Sequence, residues 1–358
     1  MTKPSIWSAV ALTMVIMNGC ASEPGREVAV ESAARSGCSI ALCGSNARLG
    51  RHAFHELHRR GELNDQNLKI VAAVLHGKVV KVDVDRDRLL VRRGDDTLSG
   101  RDLVGLVISI DWVDPNPQSD HPLEHYVLVL EDYVELDFLT APGDRTVPAY
   151  YFRFQQAGDD PKPLCGNTWS PSTPQEVSGL AFFFERDRYS NSFVSIEETP
   201  AGDPWFNVAC TQTAQGKLHL LRHTAAGNDG PHVTTLPERE ALLKLIAADY
   251  AGTGRQFTVT GTPLEYTFAK HWAEPQGWNP TPIDTTVALP RVEYEAIWVP
   301  GGVFCMNTAR ANPARDDLPF WAEIKGEFAP GRLRTCSPDE LEHWRDHGYA
   351  ISRLPVRP

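Results

Sequence analysis

Three short stretches of the sequence hold side chains spaced for chemistry. The sharpest is His121-Pro122-Leu123-Glu124-His125, an H-x-x-E-H pattern. On one face of a helix, two histidines so spaced would hold zinc while the glutamate polarised a bound water. The flanks argue otherwise. His121 follows Asp114-Pro115-Asn116-Pro117, and the apolar run Tyr126–Leu130 starts directly after His125. The pattern therefore predicts an exposed hairpin loop entering a strand, with His121 in the turn. Zinc-dependent hydrolysis through His121, Glu124 and His125 is the alternative, and no metal or other cofactor is expected. In the second stretch, RHAFHELHRR, His52, His55 and His58 recur every third residue. On a helix, adjacent pairs could share a metal, but a solvated basic helix is the plainer expectation. The third is Asp83, Asp85 and Asp87, as D-x-D-x-D. A calcium loop needs Gly at its sixth position and Glu at its twelfth. Those positions are Arg88 and Gly94, so the acids are expected on the wet face of a hairpin. Trp272 and Trp278 offer rings on which a sugar could stack, although most tryptophans of a β-rich body serve its core. No G-x-S-x-G, phosphate loop or dinucleotide fingerprint occurs.

The elements that must position these residues are mainly strands. Asn46 to Arg60 predicts a helix stopped by Gly61. Beyond it, GKVVKVDVDRDRLLVRR alternates apolar and polar residues about a turn near Asp87. RDLVGLVISIDW, EHYVLVLEDYVELDF, VPAYYFRF, SGLAFFF, SFVSIEE, FNVACT, KLHLL, RQFTVTG, LEYTFAK, YEAIWV and VFCMN continue as strand-length runs. Turns are marked by Gly94-Asp95-Asp96, Pro300-Gly301-Gly302 and Pro330-Gly331. Two capping boxes announce helices, Thr235-Leu236-Pro237-Glu238 and Ser337-Pro338-Asp339-Glu340. The first precedes Leu242, Leu243, Ile246 and Tyr250 at helical spacing; the second precedes Leu341 and Trp344, with Gly348 as a stop. The fold class is thus β-rich α+β, mainly antiparallel, with two or three short helices.

With 35 basic against 46 acidic residues and a formal net charge of −11, the chain lacks the basic balance that nucleic acid demands. At its start, Lys3 precedes the twelve-residue apolar run Ile6–Met17. That is shorter than the roughly 20 residues of a membrane-spanning helix, and it suits an export signal. Met17-Asn18-Gly19-Cys20 resembles a bacterial lipobox, in which the cysteine is acylated and becomes the first residue. The expected organisation is a lipoprotein signal over 1–19, a tether and short helix over 20–62, and a β-rich body over 63–358. Cys20 would then carry the membrane anchor, and Ala21 in place of Asp leans by resemblance toward the outer membrane. Of seven cysteines, six remain after acylation. Cys38, Cys43, Cys165, Cys210, Cys305 and Cys336 can form three disulfides in any of 15 pairings. Export would supply the oxidising surroundings that they need.

The segment AADYAGTGRQFTVTGTPL, Ala247 to Leu264, resembles the signature of the ADYC domain family, exported bacterial proteins of unassigned function. Asp249, Tyr250, Gly252 and Thr262 match it, as do Ala248, Gly254, Phe257, Thr258, Gly261 and Pro263. KPLCG, FNVACT, YEAIWVPGGVFC and LRTC resemble the family's ordered blocks, extending the likeness over about residues 75 to 337. The naming cysteine is Ala251 here, and an upstream family cysteine falls at Leu242. Joint loss of both implies a structural pair rather than a nucleophile. The resemblance leads us to expect Cys165–Cys210, Cys305–Cys336 and Cys38–Cys43 as disulfides. It implies a membrane-anchored extracytoplasmic protein, a binding or interaction module whose protein or glycan partner it does not name.

Overall fold

The computed structural model describes residues 46–116, 118–137, 146–166, 177, 179–191, 193–227, 234–257, 265–268, 292–309 and 319–355. Three short strands open it: β1 (Ala47–Leu49), β2 (His52–Phe54) and β3 (Glu56–His58). A hairpin of β4 (Leu68–Leu75) and β5 (Lys78–Val79) leads to a meander of β6 (Lys81–Asp85), β7 (Arg88–Arg93) and β8 (Asp96–Ser99). Next come β9 (Val107–Val113), β10 (Leu123–Asp137), β11 (Thr146–Gln156) and the short β12 (Lys162–Pro163). They are followed by β13 (Ala181–Phe184), β14 (Asp187–Tyr189), β15 (Ile196–Glu198) and β16 (Trp205–Cys210). Helices α1 (Ala214–Leu220) and α2 (Leu236–Ala247) precede β17 (Glu265–Phe268), β18 (Val292–Val299) and β19 (Gly302–Met306). Helices α3 (Pro319–Glu327) and α4 (Pro338–Glu342) and strand β20 (Ala350–Pro355) complete the described chain.

The main sheet runs β3-β16-β13-β11-β10-β9-β4-β5, with β12 paired to β11. A smaller one runs β17-β20-β18-β19, and every pairing is antiparallel. The β-rich α+β class read from the sequence is therefore the observed one. Alternation along β11 and β13 splits their side chains between two cores. Val147, Ala149, Tyr151, Phe182 and Phe184 meet α1, α2 and the inner face of the small sheet at Ala296 and Trp298. Tyr150, Phe152, Phe154, Ala181 and Phe183 meet Val82, Val84, Leu89 and Val91 of the meander, together with Leu49 and Phe54. With both faces dry, these strands read as unbroken apolar runs rather than alternating ones. Ile297, Cys305, Cys336, Trp344 and Ile351 pack on the small sheet's other face.

Two local readings are corrected. Asn46 to Arg60 is not a helix: Leu49 and His52 close a two-residue hairpin loop in which Gly50 takes φ 59°. β3 then pairs with β16, so part of the expected helix is a strand of the main sheet. Cross-strand pairing and burial override a helical spacing in so short a run. KLHLL is helical, not extended. Thr213 Oγ1 caps α1 by accepting from Gly216 N–H, and a Cβ on Gly216 would lie 2.1 Å from Cys210 O, so the helix sits directly on the end of β16. Both capping boxes are present as read.

Disulfides join Cys165 to Cys210 and Cys305 to Cys336; Cys38 and Cys43 lie outside the described residues. No helix of the described residues is long and apolar enough to cross a membrane. The Cys165–Cys210 bond closes a separation of 45 residues. Replacing both cysteines with serine should lower the unfolding free energy by about 2–4 kcal/mol. Urea midpoints measure this, and an unchanged midpoint would show that the bond does not brace the core.

Candidate functional site

Two constellations gather the polar groups that sequence singled out. The first is the turn after α2. Ala248 takes the left-handed conformation that ends the helix, and Asp249 N–H returns to Lys244 O. The Asp249 carboxylate accepts from Thr253 N–H and Gly254 N–H, both at 2.9 Å, and from Lys244 Nζ at 2.9 Å. Lys244 Nζ also donates to Phe193 O at 3.1 Å. Both ionic side chains are almost fully buried. Tyr250 stacks on Trp298, and its hydroxyl donates to the buried carboxylate of Glu295 at 2.5 Å. The turn docks on the β18–β19 hairpin, where Val303 N–H at the start of β19 donates to Tyr250 O. A Cβ on Gly252, which has φ 69°, would lie 2.2 Å from Gly301 O, so the close approach requires glycine. Leu242, at the second missing family cysteine, is an apolar core residue. The arrangement locks a helix end to a hairpin and leaves neither Asp249 nor Tyr250 facing a substrate. Thr262 lies outside the described residues, as do Trp272 and Trp278.

The second constellation surrounds Glu124. The β1–β2 loop rests on Tyr126: a Cβ on Gly50 would be 3.1 Å from the tyrosine hydroxyl. This brings Arg51 and His52 over the strand. Arg51 Nη2 donates to Glu124 Oε1 at 2.7 Å, His52 Nε2 to Oε2 at 3.1 Å, and the Tyr126 hydroxyl to Oε2. The His52 ring stacks on Trp112 with centroids 3.9 Å apart. Burial alone would raise the Glu124 pKa. The bonds from Tyr126 and His52 outweigh it and hold the carboxyl below its usual range. Burial pushes His52 down, with Glu124 partly offsetting it, and burial together with Glu124 pushes Tyr126 up. The result is a clamped carboxylate, a neutral imidazole and a neutral phenol. A positioned carboxylate and histidine are the ingredients of acid–base chemistry, but here they bond each other, and Arg51 and Tyr126 hold the carboxylate as well.

The H-x-x-E-H residues do not converge. Glu124 and His125 are neighbours in β10 and face opposite sides of it. His125 is paired instead with Asp111 of β9, Nδ1 to Oδ1 at 2.8 Å. His121 is exposed in the β9–β10 loop, as the flanks predicted. Among the described residues no group of three His, Cys, Asp or Glu side chains is placed to hold a metal. The basic helix is also corrected. His55 is buried, with Nε2 donating to Tyr189 O at 2.9 Å, and His58 is buried against Trp205. Burial lowers the pKa of both. Nor is D-x-D-x-D wholly wet. Asp85 is exposed, but Asp83 and Asp87 are buried. Arg59 bridges Asp83 to Glu185, and Arg92 binds Asp83 at 2.8 Å, tying the meander to the main sheet.

Sequence reasoning missed Arg51, Trp112 and Tyr126. Tyr126 was legible in part, because it lies two residues beyond Glu124 on a strand and so shares its face. Lys244 within ALLKLIAA and Glu295 within YEAIWV were also signals, since a lone charge inside an apolar run must find a buried partner.

The family model for the ADYC domain matches residues 100–312. The chain belongs to the ADYC domain family. No curated protein and no solved structure is significantly similar to it. The structural unit exceeds the matched span: β20, beyond its end, lies between β17 and β18, and Cys336 supplies half a disulfide. Within the ADYC signature, the aspartate binds the turn and the buried lysine, and the tyrosine binds the small sheet.

Two outcomes are expected. Asp249→Ala strands the Lys244 ammonium in the interior and should cost about 3–5 kcal/mol of stability. Combining it with Lys244→Met should cost less than the sum of the single changes in urea unfolding. The second concerns pH. The folded pKa of His52 lies below 6.5, so the stability from its neutral form is full above 6.5 and is lost as pH falls from there through the folded pKa. Glu124→Gln removes an influence that raises it. By NMR titration the His52 pKa should drop further, and stability should fall more steeply on acidification than in wild type. A rise in that pKa would contradict the clamped-carboxylate picture.

Proposed function

We propose that this ADYC-family protein is an extracytoplasmic lipoprotein of the cell envelope, anchored through Cys20, whose body is a binding or interaction module. The observation that carries the reading is the pair of disulfides built into the cores of the folded body. Such bonds form and persist outside the reducing cytosol. Beside them stands the apolar run Ile6–Met17 ahead of Gly19-Cys20. A thioether-linked diacylglycerol with an amide-linked acyl chain such as palmitate would hold the protein stably, where one chain would not. Ala21 after the acylated cysteine favours the outer membrane.

The binding role is favoured over hydrolysis by the way the carboxylates singled out above are engaged. Glu124 and Asp249 each accept from three protein donors, and Glu295 accepts from the Tyr250 hydroxyl. The hydrolase alternative draws no support from His121 and His125, which do not meet at Glu124. Its acidic balance directs the module toward protein or glycan partners and away from nucleic acid.

The test is expression in a two-membrane bacterium, with detergent phase partitioning and intact mass. The wild-type product should enter the detergent phase with a diacylglycerol and an acyl chain on Cys20, and Cys20→Ala should abolish both. A wild-type product that is soluble and unacylated at Cys20 overturns the proposal.

A further inference from the structure

Of the five large apolar side chains that the described residues expose, three lie along one edge of the main sheet. They are Leu63 at 46% exposure, Val71 at 53% and Val79 at 81%. β5 is the terminal strand, joined to β4 by a tight turn in which His76 and Gly77 both take positive φ. The segment carrying Leu63 runs beside β4, since a Cβ on Gly61 would be 2.6 Å from Ile70 O and Asn64 N–H donates to Leu68 O. Val71 is the extra residue where the β4–β9 register shifts.

Register extends the patch inward. Val79 opposes Val74, Val74 opposes Val107, and Val107 opposes Val129. Ala73, Val80, Ile108 and Leu128 face the buried core, so alternation puts the four valines in one row on the other face. The charge of this edge is opposite to that of the molecule. Residues 66–82 contain no Asp or Glu and hold Lys69, His76, Lys78 and Lys81, in a chain of net charge −11. Lys78 and Lys81 are exposed on either side of Val79. Lys69 opposes Asp111, and Glu62 and Asp65 flank Leu63, so the excess of cations is concentrated at the β4–β5 tip.

Lysines on an edge strand also guard against edge-to-edge pairing. That role accounts for the cations but leaves the exposed Val71, Val79 and the valine row unexplained. Apolar side chains set among cations suit the boundary of an anionic bilayer, where the lysines meet headgroups and the valines meet the acyl boundary. We infer that the β4–β5 edge is the face on which the body rests on an anionic phospholipid surface. This deepens the membrane anchorage proposed above by assigning the docked face.

The experiment uses the product as the cell makes it, on phosphatidylglycerol-containing vesicles and on phosphatidylcholine vesicles, and follows amide exchange over residues 68–81. Exchange should slow on the anionic vesicles only, and high salt should reverse the effect. Lys78→Glu with Lys81→Glu should weaken the protection at least about tenfold. Val79→Asp should weaken it too, while both variants keep wild-type unfolding midpoints. Unchanged exchange in protein that floats with the vesicles overturns the docked face and leaves the anchor standing. Were the product unacylated, the same measurement on protein mixed with vesicles would decide: protection supports the docked face, and its absence overturns it. Protection that grows with protein concentration without lipid would identify a second copy as the occupant and overturn the proposal.

Discussion

Phe182 and Phe184 enter one core, while Ala181 and Phe183, on the same four-residue strand, enter another. This two-sided burial of β11 and β13 is the constraint on which the architecture depends. A sheet wet on one face needs one covering layer; this one needs two. Helices α1 and α2 and the small sheet supply the first. The β6–β8 meander and the β1–β2 hairpin supply the second. The Cys165–Cys210 bond sits within the second core, tying the β12 region to the end of β16. Toward β4 and β5 the far face is no longer dry, and the apolar row of valines ends at the exposed Val79.

The layers are registered to one another by buried charge. Arg239 on α2 meets Asp187 at 3.2 Å, Lys244 Nζ on α2 reaches Phe193 O while Asp249 of the following turn balances its charge, and Arg59 joins Asp83 to Glu185. Such pairs add little net stability over apolar packing, because desolvation offsets their attraction. Their effect is to make a wrong register expensive, since a slip would strand a charge. Asp187 shows the strain of that position. Burial raises its pKa to about 6 even though Arg239 pulls it down. Asp249, which the signature names, belongs with these locks. A carboxylate held by three donors is a good fastener.

The clamped Glu124 extends the same logic to the surface. Its carboxylate joins the first hairpin to β10, with Trp112 as the platform under His52.

Much of this was legible from residue order alone. Strand runs such as EHYVLVLEDYVELDF announced their elements because β-branched and aromatic side chains fit a pleated, half-buried surface. Thr235 and Ser337 announced helices because their hydroxyls reach the first free amides of the turn. Asp249 was legible as a turn-binder for a related reason, since its partners lie within five residues of it. The misreadings share a different cause. RHAFHELHRR spaces its histidines for a helix, but β16 was waiting to pair with Glu56–His58. KLHLL alternates like a strand, yet Thr213 and the close contact at Gly216 bend it into a helix. Glu124 was noticed beside His121 and His125, yet its histidine partner is His52, 72 residues away. Local hydrogen bonding and side-chain periodicity were thus determined by the sequence itself. Which surfaces became dry, and which charges met across them, was decided only when distant strands paired, because burial and Coulomb attraction depend on proximity in space and not along the chain.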